Sequence, residues 1–191
     1  NINKQISIMI FEVNGLKLTG NYKKRNHENS MVFIIHGGGL QSDQAGRFLE
    51  WQNILADNGI GSFVFNHSGI LPSEGDTKNT TLELRLDEAR TALATFLEFS
   101  ESEQSRVIIM GVSMGGHVAA QLAREAKSHG LILCEPGSFI ETAENKPFGP
   151  LFSKELRQEQ NWETVKTRSF DCIKDYTGNL LVVEAEKDNV V

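Results

Sequence analysis

Residues 111–116 have the sequence Gly-Val-Ser-Met-Gly-Gly, in which glycines flank a serine on both sides. They follow a short apolar stretch typical of a buried strand and precede an alanine-rich stretch typical of a helix. A serine at so sharp a turn adopts strained backbone angles, and Gly111 and Gly115 lack the β-carbons that would collide there. The Ser113 hydroxyl would stand exposed at the positive end of the helix, where developing negative charge is favoured. Ser113 is therefore a candidate nucleophile.

Glycine-rich turns before helices also bind phosphate groups. The dinucleotide-binding fingerprint needs three glycines at its own spacing, and the P-loop needs Gly-Lys followed by Ser or Thr. Residues 111–116 have neither pattern. An ordinary tight turn is the remaining alternative to a catalytic serine.

A second glycine cluster, residues 37–39, follows His36 at the end of an earlier apolar stretch. The tetrahedral intermediate of acyl transfer carries an oxyanion, which needs two preorganised N–H donors. We expect the backbone amide of Met114 to be one donor and that of Gly38, or alternatively Gly39, to be the other. His36 is expected to be a buried structural residue that orients this loop. A merely flexible loop is the alternative.

Short β-rich stretches alternate with longer helical patterns along the chain. Strands are predicted at residues 6–13, 16–22, 31–36, 61–66, 106–110, 130–134 and 180–185. Asn14-Gly15 predicts a two-residue hairpin turn, Thr80 and Glu83 form a capping box that predicts a helix start, and residues 113–127 predict another helix. This alternation predicts an α/β fold with a largely parallel sheet, helices on both faces, and functional loops at the carboxyl ends of the strands.

The alternation breaks between Glu135 and Asn179, where three of the four prolines lie. We predict that residues 136–178 form a small cap insertion within a single domain that spans residues 1–191. This stretch is expected to shape the substrate pocket. A surface helix with a long loop is the alternative.

The composition limits the classes of partner. The 191 residues include 25 acidic and 19 basic side chains, and the net charge of −6 argues against a surface that binds nucleic acid or anionic membranes. No apolar stretch approaches the roughly 20 residues of a membrane span. The two cysteines form neither a disulfide framework nor a metal-binding spacing, so we expect a cytoplasmic protein without a metal.

The glycine-flanked serine and the His-Gly-Gly-Gly segment, in this order, resemble the motifs of the α/β-hydrolase family, in particular its compact esterases, thioesterases and serine-aminopeptidase-like members. The resemblance extends from Met31 to Asp188 and implies an α/β-hydrolase three-layer sandwich. It also implies a serine hydrolase, without a cofactor, that cleaves the carboxylic ester or thioester of a small-molecule acyl substrate. An aminopeptidase-like amide hydrolase and a non-catalytic ligand-binding protein of the same fold are the alternatives.

The resemblance further implies a catalytic acid. In the family, a strand after the insertion ends at the acid, which corresponds to Asp188 here. Glu186 is a weaker candidate, and Glu135 is an alternative at the end of the preceding strand.

The family's catalytic histidine follows the acid in sequence, but none of the five histidines does so here. By position, His117 and His67 are the two stand-ins, although a surface or packing role is expected for His117. We expect that the chain is a truncated hydrolase whose final strand and histidine loop lie beyond Val191. A complete protein that lost its base and binds ligands is the alternative.

Overall fold

The computed structural model describes residues 6–24, 30–38, 42–100, 103, 106–158 and 164–187. Within them, the strands are β1 (Ile6–Val13), β2 (Leu16–Lys23), β3 (Met31–Ile35), β4 (Gly61–Phe65), β5 (Val107–Val112), β6 (Gly130–Cys134) and β7 (Asn179–Val183). The α-helices are α1 (Leu49–Asp57), α2 (Leu82–Ser100), α3 (Met114–Ala126), α4 (Pro150–Leu156) and α5 (Arg168–Lys174).

The strands form one sheet in the order β1-β2-β4-β3-β5-β6-β7. From β4 to β7 neighbouring strands are parallel, whereas β1 and β2 pair antiparallel with each other, as do β2 and β4. Asn14 and Gly15 both have positive φ, 51° and 78°, as the predicted hairpin turn requires. The predicted largely parallel α/β sheet is confirmed.

Helices cover the two faces of the sheet and complete three layers. On one face, α2 and α3 bury a core in which the Phe63 and Phe96 rings stack 5.3 Å apart and α3 contributes small residues such as Ala119 and Ala123. Small side chains let α3 lie close to the sheet. On the other face, Leu55 of α1 packs against a smaller cluster that includes Val64. The predicted three-layer α/β sandwich is confirmed.

The predicted start of α2 is wrong by one residue. The hydroxyl of Thr81, not that of Thr80, accepts the Leu84 N–H at 3.0 Å and caps the helix. The Thr80 hydroxyl instead donates to the backbone carbonyl of Ser68 at 3.3 Å. Between two adjacent threonines, this tertiary bond decides which one caps the helix.

Strand β7 lies at one edge of the described sheet and pairs with β6. All five of its residues are exposed, Leu181 to 53%. Trp51 and Ile54 of α1 are also exposed, whereas Gln52 and Ala56 are the buried residues of that helix.

Candidate active site

Ser113 occupies the turn between β5 and α3, with φ 52° and ψ −126°. A residue other than glycine at such angles carries strain of about 1–3 kcal/mol, which the surrounding structure has to maintain. Backbone hydrogen bonds do so. The Ser113 N–H donates to the Cys134 carbonyl at 3.0 Å, and the Ser113 carbonyl accepts the N–H groups of Gly116 and Gly137 at 2.8 and 2.9 Å. The turn leaves the Ser113 side chain exposed above the sheet.

The glycines beside Ser113 permit close packing around this turn. A β-carbon on Gly111 would lie 2.5 Å from the Ala119 β-carbon, and one on Gly115 would lie 2.6 Å from the His36 carbonyl oxygen. Both distances are far below van der Waals contact. The glycines are therefore required because strand and helix approach each other closely, as the sequence pattern indicated.

The loop after β3 lies directly against this turn. A β-carbon on Gly37 would stand 3.0 Å from the Ser113 β-carbon and 3.4 Å from its hydroxyl oxygen. One on Gly38 would stand 3.3 Å from the Met114 ε-carbon. The structure thus brings together Ser113 and the two expected oxyanion donors, Gly38 and Met114. Gly39, the alternative donor, lies outside the described residues.

His36 is buried and hydrogen-bonds to this loop. Its Nε2 accepts the His67 N–H at 3.3 Å, so Nδ1 carries the proton and donates to the Gly37 carbonyl at 2.8 Å. Burial lowers the pKa of His36 well below its usual value, and His67 and Arg85 lower it further. A neutral, fully bonded ring is what an orienting structural histidine requires.

The apolar spacing of α2 did not reveal Arg85, which lies beneath the same loop. Its side chain is buried, and its Nη1 donates to the Gly37 carbonyl at 3.0 Å. The guanidinium also lies 4.9 Å from the centre of the Phe148 ring. Burial lowers the pKa of Arg85 to about 10, although Glu88 acts in the opposite direction. The side chain therefore remains a cation at neutral pH.

His67, one of the two positional stand-ins for the base, is fully buried and lies against Glu88. Its Nδ1 lies 2.6 Å from the Glu88 carboxylate, and its Nε2 has no partner among the described residues. Burial and then Arg85 lower the pKa of His67, while burial raises the pKa of Glu88. Glu88 also accepts the Ser68 N–H, so the pair holds the loop after β4, and neither side chain hydrogen-bonds to Ser113.

His117, the other stand-in, is buried and bonds to residues of the segment between β6 and β7. Its Nδ1 accepts the Phe139 N–H at 3.3 Å, so its Nε2 donates to Glu144 at 3.0 Å. The other Glu144 oxygen lies 2.8 Å from Arg168. These bonds tie the segment between β6 and β7 to α3, which is the packing role expected for His117.

No described histidine has a ring nitrogen within hydrogen-bond distance of the Ser113 hydroxyl. Asp188, the expected acid, lies outside the described residues. The two alternative acids, Glu135 and Glu186, are described and exposed. Glu135 follows β6 directly and has a positive φ of 46°.

A cavity of about 280 Å³ opens beside Ser113. Its lining residues come from the β3 loop, the start of α1 and the serine turn: His36, Gly37, Gly38, Gln44, Arg47, Phe48, Trp51, Val112 and Ser113. None of these residues comes from the segment between Glu135 and Asn179, which was expected to shape the pocket. The Phe48 and Trp51 rings meet edge to face at 5.6 Å.

The described residues do not suggest a metal centre or a membrane segment. They contain no group of three or more His, Cys, Asp or Glu side chains that could hold a metal ion. None of their helices combines the length and the apolar character that crossing a bilayer requires.

Comparison with known families gives one match that covers most of the chain. The family described as serine aminopeptidase, S33, matches residues 26–191. No curated protein sequence matches the chain.

Solved structures of several α/β-hydrolases are similar to this fold. Est1E from Butyrivibrio proteoclasticus with bound ferulic acid is 18% identical with a TM-score of 0.69, over 96% of this chain and 80% of that one. An α/β-hydrolase from Vibrio vulnificus is 22% identical with a TM-score of 0.70, over 95% of this chain and 64% of that one. GrgF from Penicillium sp. sh18 is 18% identical with a TM-score of 0.61, over 69% of this chain. The match spans 46% of GrgF.

Proposed function

Because the chain belongs to the serine aminopeptidase S33 family of α/β-hydrolases, we propose that it is a serine hydrolase that cleaves a carboxylic ester or thioester through an acyl-enzyme on Ser113. The observation that carries this proposal is the position of an exposed, positive-φ serine against a glycine loop. Strained, exposed nucleophiles that face backbone amides are the arrangement that acyl transfer uses.

In the proposed reaction, the Ser113 oxygen attacks the acyl carbonyl carbon and its proton passes to a general base. The amides of Gly38 and Met114 hold the oxyanion of the tetrahedral intermediate. Collapse of the intermediate breaks the bond to the alcohol or thiol, which leaves with the proton from the base. Water then attacks the acyl-enzyme in the same way and releases the acid and the free serine.

We propose that the base is a histidine placed after the acid, as in the family's order of catalytic residues, and oriented by Asp188. The assignment is supported by the surroundings of the buried rings. None of the three buried rings, His36, His67 and His117, hydrogen-bonds to the Ser113 hydroxyl. Their ring nitrogens bond instead to Gly37, Glu88 and Glu144 respectively. His36 and His117 could accept the serine proton only by breaking these buried bonds. The Nε2 of His67, which has no partner among the described residues, does not hydrogen-bond to Ser113 either.

The cavity beside Ser113 supports a small substrate. A volume of about 280 Å³ lies just below the roughly 300 Å³ at which the range of ordinary ligand pockets begins. The aromatic rings of Phe48 and Trp51 provide an apolar wall for an acyl or alcohol group. We assign the cap role to residues 136–178, whose Gly137 amide already bonds to the Ser113 carbonyl.

Cleavage of an amide at a peptide N-terminus is the second candidate, since the matching family is described as a serine aminopeptidase. Recognition of a free α-ammonium group calls for an anionic partner. Among the lining residues given above, however, the formally charged one is the cation Arg47. This charge favours the ester reaction over the aminopeptidase reaction. Parallel assays with p-nitrophenyl butyrate and aminoacyl p-nitroanilides distinguish the two.

The test of the proposed function is reaction of the intact protein with a fluorophosphonate probe and with p-nitrophenyl butyrate. We expect labelling and turnover in the wild type, and neither in Ser113→Ala. Ser100→Ala, at the end of α2, is the matched control and retains both. Equal labelling of wild type and Ser113→Ala, or no labelling of either, would instead indicate a ligand-binding protein.

A further inference from the structure

The carbonyl oxygen of Gly37 accepts hydrogen bonds from two buried side chains. Arg85 Nη1 donates to it at 3.0 Å and His36 Nδ1 at 2.8 Å. A carbonyl oxygen has two lone pairs, so both of its acceptor positions are filled. Because both donors are buried, the carbonyl points into the protein interior, away from the exposed side of the loop.

This carbonyl belongs to the same peptide unit as the Gly38 N–H. In a trans peptide the C=O and N–H groups point in opposite directions, and the cis bond found among the described residues is at Leu71-Pro72. Fixing the Gly37 carbonyl toward Arg85 therefore turns the Gly38 N–H toward the opposite side. Gly37 and Gly38 pack against Ser113 and Met114.

The two glycines cannot fix this peptide by themselves. Neither has a side chain, and glycine tolerates several backbone conformations at little cost. If the peptide flipped, a carbonyl oxygen would face the developing oxyanion in place of an N–H donor. The orientation must therefore come from groups outside the loop.

Arg85 is itself held in place. Its guanidinium packs on the Phe148 ring at 4.9 Å, and Nη1 lies 3.5 Å from the Met114 sulfur. It thereby contacts both the glycine loop and the residue after the nucleophile. A cation that bonds to a peptide carbonyl also polarises the attached N–H, which makes the N–H a stronger donor.

We propose that Arg85 is a positioning residue for the oxyanion hole, which holds the Gly37–Gly38 peptide so that the Gly38 N–H faces the substrate oxygen. The proposal rests on the proposed function, because it assigns how one of the oxyanion donors of that reaction is oriented. Arg85 acts through Gly37 and does not contact the substrate.

The test compares Arg85→Met and Arg85→Lys with Arg90→Met in the intact protein. Arg90 lies on the same helix, but it is exposed and pairs with Glu125 and Asp87. Loss of one oxyanion donor lowers kcat by roughly 10²–10³-fold, so Arg85→Met should lose about 10²-fold in kcat with little change in KM. Arg85→Lys, which retains a donor and the charge, should recover a large part of kcat. Arg90→Met should resemble the wild type.

Active-site titration and an inhibitor separate positioning from a general loss of structure. Activities are calculated per serine that reacts with the fluorophosphonate, so unfolded protein does not count. A phenylboronic acid, which forms a tetrahedral adduct on serine, should bind Arg85→Met more weakly by a factor similar to the loss in kcat. Unchanged kcat per active serine, or unchanged boronate affinity, would overturn the proposal. A wild type without serine-dependent turnover would instead refute the proposed function.

Discussion

Gly37 packs so closely against Ser113 that a β-carbon on the glycine would lie 3.0 Å from the serine β-carbon and 3.4 Å from its hydroxyl oxygen. The same atom would lie 3.1 Å from the Val112 carbonyl oxygen. The glycine loop and the serine turn therefore leave no room for a side chain between them without a shift of one or the other. This contact connects two sequence motifs that are far apart along the chain.

The first prediction follows from this contact. Gly37→Ala should displace the Ser113 side chain and lower kcat/KM for p-nitrophenyl butyrate by about tenfold or more, because small errors in placement are costly in acyl transfer. The added methyl group should also reduce the free energy of unfolding by about 1–3 kcal/mol. Gly130→Ala is the control, since its new β-carbon would be 3.4 Å from the nearest atom. Equal losses in the two variants would contradict the proposed contact.

The second prediction concerns the strained backbone of Ser113. Ser113→Gly should increase the free energy of unfolding by about 1 kcal/mol, because glycine relieves the strain of φ 52° but has more freedom to lose on folding. Ser113→Ala keeps the β-carbon and should gain little. Urea denaturation of the three proteins measures the difference. If the alanine and glycine variants were equally stable, the serine turn would not be strained.

The third prediction is a loss of stability in mild acid. The pKa values of His36 and His67 are lowered in the folded state, mainly by burial. Below about pH 6.5, the ordinary value, the unfolded chain therefore takes up protons that the folded chain does not, and stability falls as the pH falls. The raised pKa of Glu88 has the opposite effect on stability. Its stabilising contribution is present at low pH and is lost as the pH rises above about 4.5. Two histidines oppose one carboxyl group, so the net effect below pH 6.5 is destabilising.

His67→Asn isolates one contribution to this effect, because the asparagine amide can still donate to Glu88 but does not titrate. Each proton is worth at most about 1.4 kcal/mol per pH unit. The free energy of unfolding of the variant, measured by urea denaturation between pH 7 and pH 5, should fall less steeply than that of the wild type. Parallel curves for the two proteins would show that His67 is not a source of the acid sensitivity.

The fourth prediction concerns the attachment of residues 136–178. Glu144→Leu leaves His117 without its buried acceptor and Arg168 without its closest carboxylate. Breaking a buried ion pair costs about 3–5 kcal/mol. Because Arg168 is 42% exposed, water can solvate its charge after the change, so we expect the free energy of unfolding to fall by about 2–3 kcal/mol. Glu144→Gln keeps an acceptor for His117 and should lose less. Limited proteolysis should cut the leucine variant first within residues 136–178, and equal resistance of both variants would contradict this attachment.

Local patterns were sufficient for the elements that position the site. Asn14-Gly15 predicted the first hairpin because only a few residue pairs suit that turn, and the strand predicted at 130–134 matches β6. The glycine spacing around Ser113 predicted the turn because its steric requirements lie within a few residues. Each of these signals is short-range, so it survives in a single sequence.

Pairings between distant polar residues could not be predicted in this way. Arg85 lies among the polar positions of the α2 pattern, and its acceptor, Gly37, is 48 residues away. The pairs His67–Glu88 and His117–Glu144 join different elements in the same manner. Polar contacts across a fold have no periodicity, and for this reason the sequence did not identify them. The role of Asp188 stays a prediction.

The measurement that most directly tests the central claim is peptide mapping of the fluorophosphonate-labelled protein by mass spectrometry. We expect one major adduct, on the peptide that contains Ser113, with its rate of formation slowed in Gly37→Ala and its mass absent in Ser113→Ala. An adduct on any other residue that forms at the same rate in the wild type and in Ser113→Ala would contradict the assignment of Ser113 as the nucleophile.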